Sequence, residues 1–90
     1  MLNVNTGTAV ASLDYYAERL TNYVRENHAA SFDPQSEQLF DYLDSVGFVQ
    51  LIMFVESDLG IQLNPATLSL DSCATVENFA RLLQEHAAAR

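Results

Sequence analysis

The residues best placed to do chemistry lie in one short run, Leu43-Asp44-Ser45-Val46-Gly47-Phe48-Val49-Gln50-Leu51. It sets a hydroxyl beside a carboxylate where a helix is expected to start. Asp44 suits the N-cap, because its side chain can accept bonds from the otherwise unpaired amides of the first turn. Ser45 is then the first helical residue, and its hydroxyl faces the positive end of the helix dipole, where an attached phosphate would be favoured. On its own, an Asp-Ser-apolar tripeptide usually marks only a helix cap. A hydrolase built on Ser45 would also need a base and an oxyanion hole, and neither His28 nor His86 is near it in sequence. The two histidines are far apart and accompany no second ligand motif, so no metal site is expected. Cys73 is the only cysteine. It rules out an intramolecular disulfide and a thiolate cluster, predicts a reducing compartment, and reads as a small packed thiol in a loop beside the last helix.

The elements that must hold this run are helical. Val10, Leu13, Tyr16, Ala17, Leu20, Tyr23 and Val24 recur at spacings of three and four, which predicts a first helix over about Val10 to Asn27. Periodicity then fails up to Asp44, and Asn27, Ser31, Asp33, Pro34 and Ser36 supply turn chemistry. A long loop is expected there, pinned by Phe32, Leu39, Phe40 and Leu43, with Asp33, Glu37 and Asp41 as a solubilising charge run. Helix two should run from Ser45 to just before Gly60, a residue suited to the C′ position. Val49, Ile52, Val55 and Leu59 form its expected core stripe. Val46, Phe48, Met53 and Phe54 fall partly outside that stripe, and an apolar patch rimmed by acids is an interaction surface. Gly60 to Leu63 could be briefly extended. Asn64 followed by Pro65 predicts one short helical turn through about Leu68. The last helix should start near Thr75, with Glu77 favourable to its dipole and Val76, Phe79, Ala80, Leu83 and Ala87 on one face.

The chain has 90 residues, 12 acids and 4 bases, for a net charge of −8. Residues 1–90 therefore read as a single small domain with a stability of about 5–10 kcal/mol. All four bases are arginines, and none lies between Asn27 and Ala80, a stretch with eight acids. Nucleic acid is not an expected partner, because phosphate neutralisation needs clustered cations. A basic protein surface would be attracted. The most hydrophobic run, Val46 to Val55, contains Gln50 and is too short to span a bilayer, and the first ten residues carry no basic leader. A monomeric cytoplasmic protein without membrane insertion is expected.

In this context the Asp44-Ser45 run resembles the phosphopantetheine attachment site of acyl and peptidyl carrier proteins. The resemblance extends over Leu39 to Leu83: the acidic loop before Ser45, the helix after it, Leu59-Gly60-Ile61, and a last helix opened by Thr75-Val76. The Leu-Asp-Ser-apolar-Gly-x-Val-Gln-Leu pattern is most similar to the D-alanyl and related stand-alone aminoacyl carriers. Fatty-acid carriers usually have Leu-Gly shortly before the Asp-Ser pair, where this chain has Asp41-Tyr42-Leu43. They also carry acids where this chain has Gly47 and Gln50, and helix two here retains only Glu56 and Asp58.

The resemblance implies an all-α, acyl-carrier-like four-helix bundle with a long loop between helices one and two and a short third helix. It implies a freestanding carrier, not an enzyme, with 4′-phosphopantetheine attached covalently to Ser45 and an acyl or aminoacyl thioester on the arm. Asp44 would cap the helix or help bind the magnesium ion used by the phosphopantetheinyl transferase. An adenylating ligase or acyltransferase would load the arm, and a downstream synthase or transferase would receive the cargo, as in secondary metabolite biosynthesis. Val46, Gly47, Phe48, Met53 and Glu56 would meet these partners. The competing class is an unmodified acidic helical adaptor that binds partners through helix two, with Ser45 only a helix-start residue.

Overall fold

The computed structural model describes residues 12–64, 66 and 68–88. Four α-helices follow in order: α1 (Leu13–Asn27), α2 (Ser45–Asp58), α3 (Leu70–Cys73) and α4 (Val76–Ala88). No strand occurs among the described residues. The fold is the helical bundle expected from the sequence.

Ser12 caps α1, its hydroxyl accepting from the Tyr15 N–H at 3.2 Å. Val10, expected in this helix, lies outside the described residues. Asp14 in the first turn and Arg25 in the last oppose the dipole charges at each end. Tyr16, Leu20 and Val24 recur every fourth residue and are buried. They face α4, whose Val76, Phe79, Ala80 and Leu83 are buried in turn, and α1 against α4 is the principal helix pair. Thr75 caps α4 through its Oγ1, which accepts from the Asn78 N–H at 3.1 Å.

The loop between α1 and α2 is tied down by its own polar groups. Arg25 Nε donates to the Phe32 carbonyl at 3.0 Å, and the Phe32 side chain is fully buried. Asp33 accepts from the Gln35 amide and the Ser36 hydroxyl, Glu37 accepts from the Asp33 amide and the Tyr42 hydroxyl, and Asp41 accepts from the Gln38 amide. The acids expected only to solubilise this loop therefore hold its shape. A single 3-10 turn, Leu39–Asp41, ends it, with the Leu39 N–H bonded to the Ala74 carbonyl at 2.7 Å. Buried Leu39 and Leu43 anchor the approach to Ser45.

Three expectations need correction. On α2 the buried face is Gly47, Leu51, Ile52 and Val55, while Val49 is 47% exposed rather than part of the core stripe. Apolar residues surround this helix, so spacing alone could not select the inward face. The short helix α3 is at Leu70–Cys73, capped by Ser69, whose hydroxyl accepts from the Ser72 N–H. α3 is an element additional to the expected Asn64 turn, where the Asn64 side chain accepts from the Ala66 N–H at 3.0 Å and residue 66 is in 3-10 conformation. Cys73, expected in a loop, is the last residue of α3 and is buried.

Between α2 and the Asn64 turn the chain is irregular. Ile61 and Leu63 are buried while Gln62 and Asn64 are exposed, an alternation in burial without assigned secondary structure. Gly60 starts this segment at φ +70°, directly after the Leu59 C-cap, in the left-handed region that glycine enters at least cost.

Candidate functional site

The start of α2 is built on Asp44. Its backbone is extended, its carbonyl accepts from the Phe48 N–H at 2.8 Å, and its side chain accepts from the Gly47 N–H at 2.7 Å. Ser45 is therefore the first helical residue, exposed at the tip of the dipole. The Ser45 and Val46 amides belong to the first turn, where no preceding helical carbonyl exists to receive them.

Gly47 allows this geometry. A methyl group placed on it would lie 3.2 Å from Asp44 Oδ1, 3.5 Å from Leu43 Cδ2 and 3.6 Å from His28 Cε1. The absent side chain lets the capping carboxylate, Leu43 and the His28 ring close over the first turn. Gly47, one of the residues expected to meet partners, is consequently buried and packs the first turn.

The other residues expected to meet partners separate by face. Ser45, Val46, Val49, Met53 and Glu56 occupy about 100° of helical arc at 3.6 residues per turn, and all are exposed. Val46 is 65% and Met53 59% exposed, and with Val49 they group apolar surface on one face of the helix. Phe48 turns away from this face and is half-buried, its ring centroid 5.2 Å from Phe40 and 6.1 Å from Phe79. Val49, assigned to the core from its spacing, joins the exposed stripe instead.

Beside Ser45 lies an open groove of about 620 Å³. Phe40, Leu43, Phe48, Val49 and Leu68 form its apolar walls, and Asp44, Ser45 and Ser69 form its polar rim. Sequence reasoning placed Phe40 and Leu43 only as loop anchors, and no pattern in the chain linked Leu68 and Ser69 to Ser45. They are brought there by the path from Gly60 to α3.

The remaining candidates stay apart from this site or have structural work. Burial raises the pKa of the Cys73 thiol, an effect its contact with the Ser72 hydroxyl only partly offsets, which suits a packed group and not a nucleophile. His86 sits on α4, its Nδ1 3.1 Å from the Leu82 carbonyl. Among the described residues no group of three or more metal-ligating side chains converges, and no helix is long and apolar enough to cross a membrane.

The arrangement fits a covalently attached phosphate-bearing arm. An exposed hydroxyl stands at a helix N-terminus, the cap has already satisfied Gly47, and the first-turn amides and dipole favour an anion at this end.

A comparison with curated proteins and with solved structures finds no match to this chain. A family model described as a phosphopantetheine attachment site matches residues 19–83. That span takes in most of α1, the loop, all of α2 and α3, and more than half of α4. Members of this family carry a covalent 4′-phosphopantetheine group, are modified by phosphopantetheinyl transferases, serve synthetic enzymes and do not catalyse a reaction themselves. Exposed serine, capped helix and family match agree, and the chain belongs to the phosphopantetheine-binding carrier protein family.

Proposed function

We propose that residues 1–90 form one monomeric carrier domain that holds an acyl or aminoacyl thioester on an arm attached at Ser45 and presents it to partner enzymes in the cytoplasm. The observation that carries this reading is the exposure of Ser45 as the first residue of α2, directly after the Asp44 cap. Ser45 Oγ supplies the oxygen of the phosphodiester, and the dipole and first-turn amides stabilise its negative charge. When bound, the group supplies the thiol on which the thioester forms. Asp44 keeps the first turn in place through Gly47 and leaves its second carboxylate oxygen at the site for the transferase's magnesium ion.

The exposed stripe of Val46, Val49 and Met53, with Glu56 at its end, supports docking through apolar contact more than through charge. No acid lies in the first turn of α2, and Gly47 and Gln50 contribute none. Rim charges mostly set association rate and specificity, so their absence argues against partners that recognise an acidic helix. This favours an adenylating ligase loading an amino acid or small carboxylic acid, in the manner of the D-alanyl and aminoacyl carriers, over a fatty-acid elongation cycle.

Intact-mass measurement after incubation with coenzyme A and a broad-specificity transferase tests the attachment residue. Wild type should gain one phosphopantetheine mass and Ser45→Ala none. A modified alanine variant would remove Ser45, and an unmodified wild type would leave the unmodified adaptor as the better reading. Efficient elongation by fatty-acid synthase enzymes, with no loading by an adenylating ligase, would remove the aminoacyl assignment.

A further inference from the structure

We propose that the groove between α1 and the C-terminal half of α2 docks an arginine side chain of a partner protein, its guanidinium lying on Tyr23 beside the Glu26 carboxylate. The groove has a volume of about 390 Å³, and Arg19, Tyr23, Glu26, Asn27, Phe54 and Asp58 are among its lining residues. Its floor is aromatic, the Tyr23 and Phe54 ring centroids lying 4.8 Å apart at an interplanar angle of 34°. Its acids stand where the backbone disfavours them. Glu26 lies in the last turn of α1 and Asp58 is the last residue of α2, so each carboxylate adds to the negative end of a helix dipole. Helix stability therefore does not account for them. Ser45 does not line this groove, and the proposal stands whether or not Ser45 carries an arm.

One end of the groove already displays the binding mode. Arg19 Nη2 is 3.6 Å from Asp58 Oδ2 and Arg19 Cζ is 5.6 Å from the centroid of the Phe54 ring, so one guanidinium is held by a carboxylate and an aromatic face. Glu26 is seven residues along α1 from Arg19, about 10 Å at the helical rise per residue. At that end the groove again offers a ring, Tyr23, and a carboxylate, but Glu26 forms no ion pair among the described residues. The other described arginines are engaged elsewhere: Arg25 Nε donates to the Phe32 carbonyl at 3.0 Å, and Arg81 pairs with Glu77 at 2.9 Å. A second copy of the chain would bring the same net charge of −8, which opposes self-association here. A basic protein surface is complementary. Arginine suits the groove better than lysine, because a planar guanidinium can stack on a ring while its edge bonds a carboxylate. Charge recognition that the first turn of α2 lacks is thereby supplied on α1.

The test titrates the isotope-labelled full chain with an acetylated, amidated Gly-Arg-Gly-Arg-Gly peptide at low salt and follows the backbone amide resonances. The largest saturable shifts should fall on Tyr23, Glu26, Asn27 and Phe54. The lysine counterpart should bind more weakly, and the citrulline counterpart, which keeps the shape and loses the charge, should leave these resonances unmoved. Glu26→Gln should weaken binding of the arginine peptide about three- to fivefold, the size of one solvent-exposed ion pair. Glu85→Gln, an exposed site on α4 outside the groove, should leave it unchanged. The Glu26 variant should itself unfold at no lower a temperature than the wild type, since it removes an anion from a helix C-terminus. A lowered Tm would assign Glu26 a structural role and overturn the proposal. Shifts spread evenly over the acidic surface would overturn it too, as would equal binding of the lysine peptide or undiminished binding by Glu26→Gln. Ser45→Ala should bind the peptide as the wild type does, so this proposal and the attachment reading fail in separate measurements.

Discussion

Replacing Asp44 separates the two roles its carboxylate can play. The side chain accepts from the Gly47 N–H at 2.7 Å, a short, charge-assisted bond at the positive end of a 14-residue helix. Losing an N-cap costs about 1 kcal/mol on average and up to about 2 in proteins. The charge–dipole part of that is about 0.3–1 kcal/mol. Asp44→Ala should therefore lose about 1–2 kcal/mol, a sizeable fraction of the total. For a domain of this size each kcal/mol lowers Tm by about 4–8 °C. Asp44→Asn keeps an acceptor oxygen and should lose only the charge–dipole share. Urea and thermal unfolding of the three proteins measure this directly. An Asp44→Ala protein as stable as Asp44→Asn would refute the capping argument. The same proteins, offered to a transferase with coenzyme A, divide structure from chemistry. If Asp44 only caps, Asp44→Asn should be modified at close to the wild-type rate, and a folded Asp44→Asn that resists modification would show that the carboxylate itself serves the transferase.

Three further outcomes are expected. Leu20→Ala and Phe79→Ala, both at fully buried positions, should cost about 2–5 kcal/mol in chemical denaturation, whereas Val49→Ala at an exposed position should stay within about 0.5 kcal/mol. Gly60→Ala meets no atom within 4 Å and should be destabilised only through its φ of +70°, by about 1–2 kcal/mol; a neutral result would mean that the turn relaxes. The Asp33 carboxyl is held below its ordinary pKa, first by the Gln35 amide and then by the Ser36 hydroxyl. Its contribution to stability is therefore fully present above the ordinary aspartate pKa and lost as pH falls through the depressed value. A Tm–pH profile of Asp33→Asn should lack this component of the acid limb, and an acid limb identical to that of the wild type would remove Asp33 from the account.

Local rules carried much of this molecule. Ser12, Thr75 and Asp44 cap the three long helices because short polar side chains reach the first-turn amides from the position just before each helix, a relation that needs no tertiary partner. The same holds for Gly60, whose positive φ follows from the end of α2. The amphipathic stripes of α1 and α4 were legible because polar residues frame one apolar face on each. With the Asp44-Ser45 start of α2, these stripes identified both the helical class and the candidate attachment residue in the sequence itself, whereas Ser12, expected inside helix one, proved to be its cap.

What the tertiary structure decided begins where local rules leave more than one answer. α2 is apolar nearly all round, so only the packing of α1, α4 and the loop selects Leu51, Ile52 and Val55 as its inward face and turns Val49 outward beside Val46 and Met53. Asn64 was legible as the start of a short turn, whereas Ser69 as the cap of α3 was not. The acids of the long loop acquire structural roles only once Gln35, Gln38 and Tyr42 are folded back onto them. The groove beside Ser45 depends on residues as distant as Phe40 and Leu68 meeting at the first turns of α2. Such juxtapositions arise from burying apolar surface against segments far away in the chain, a non-directional force that leaves no fixed spacing in the sequence.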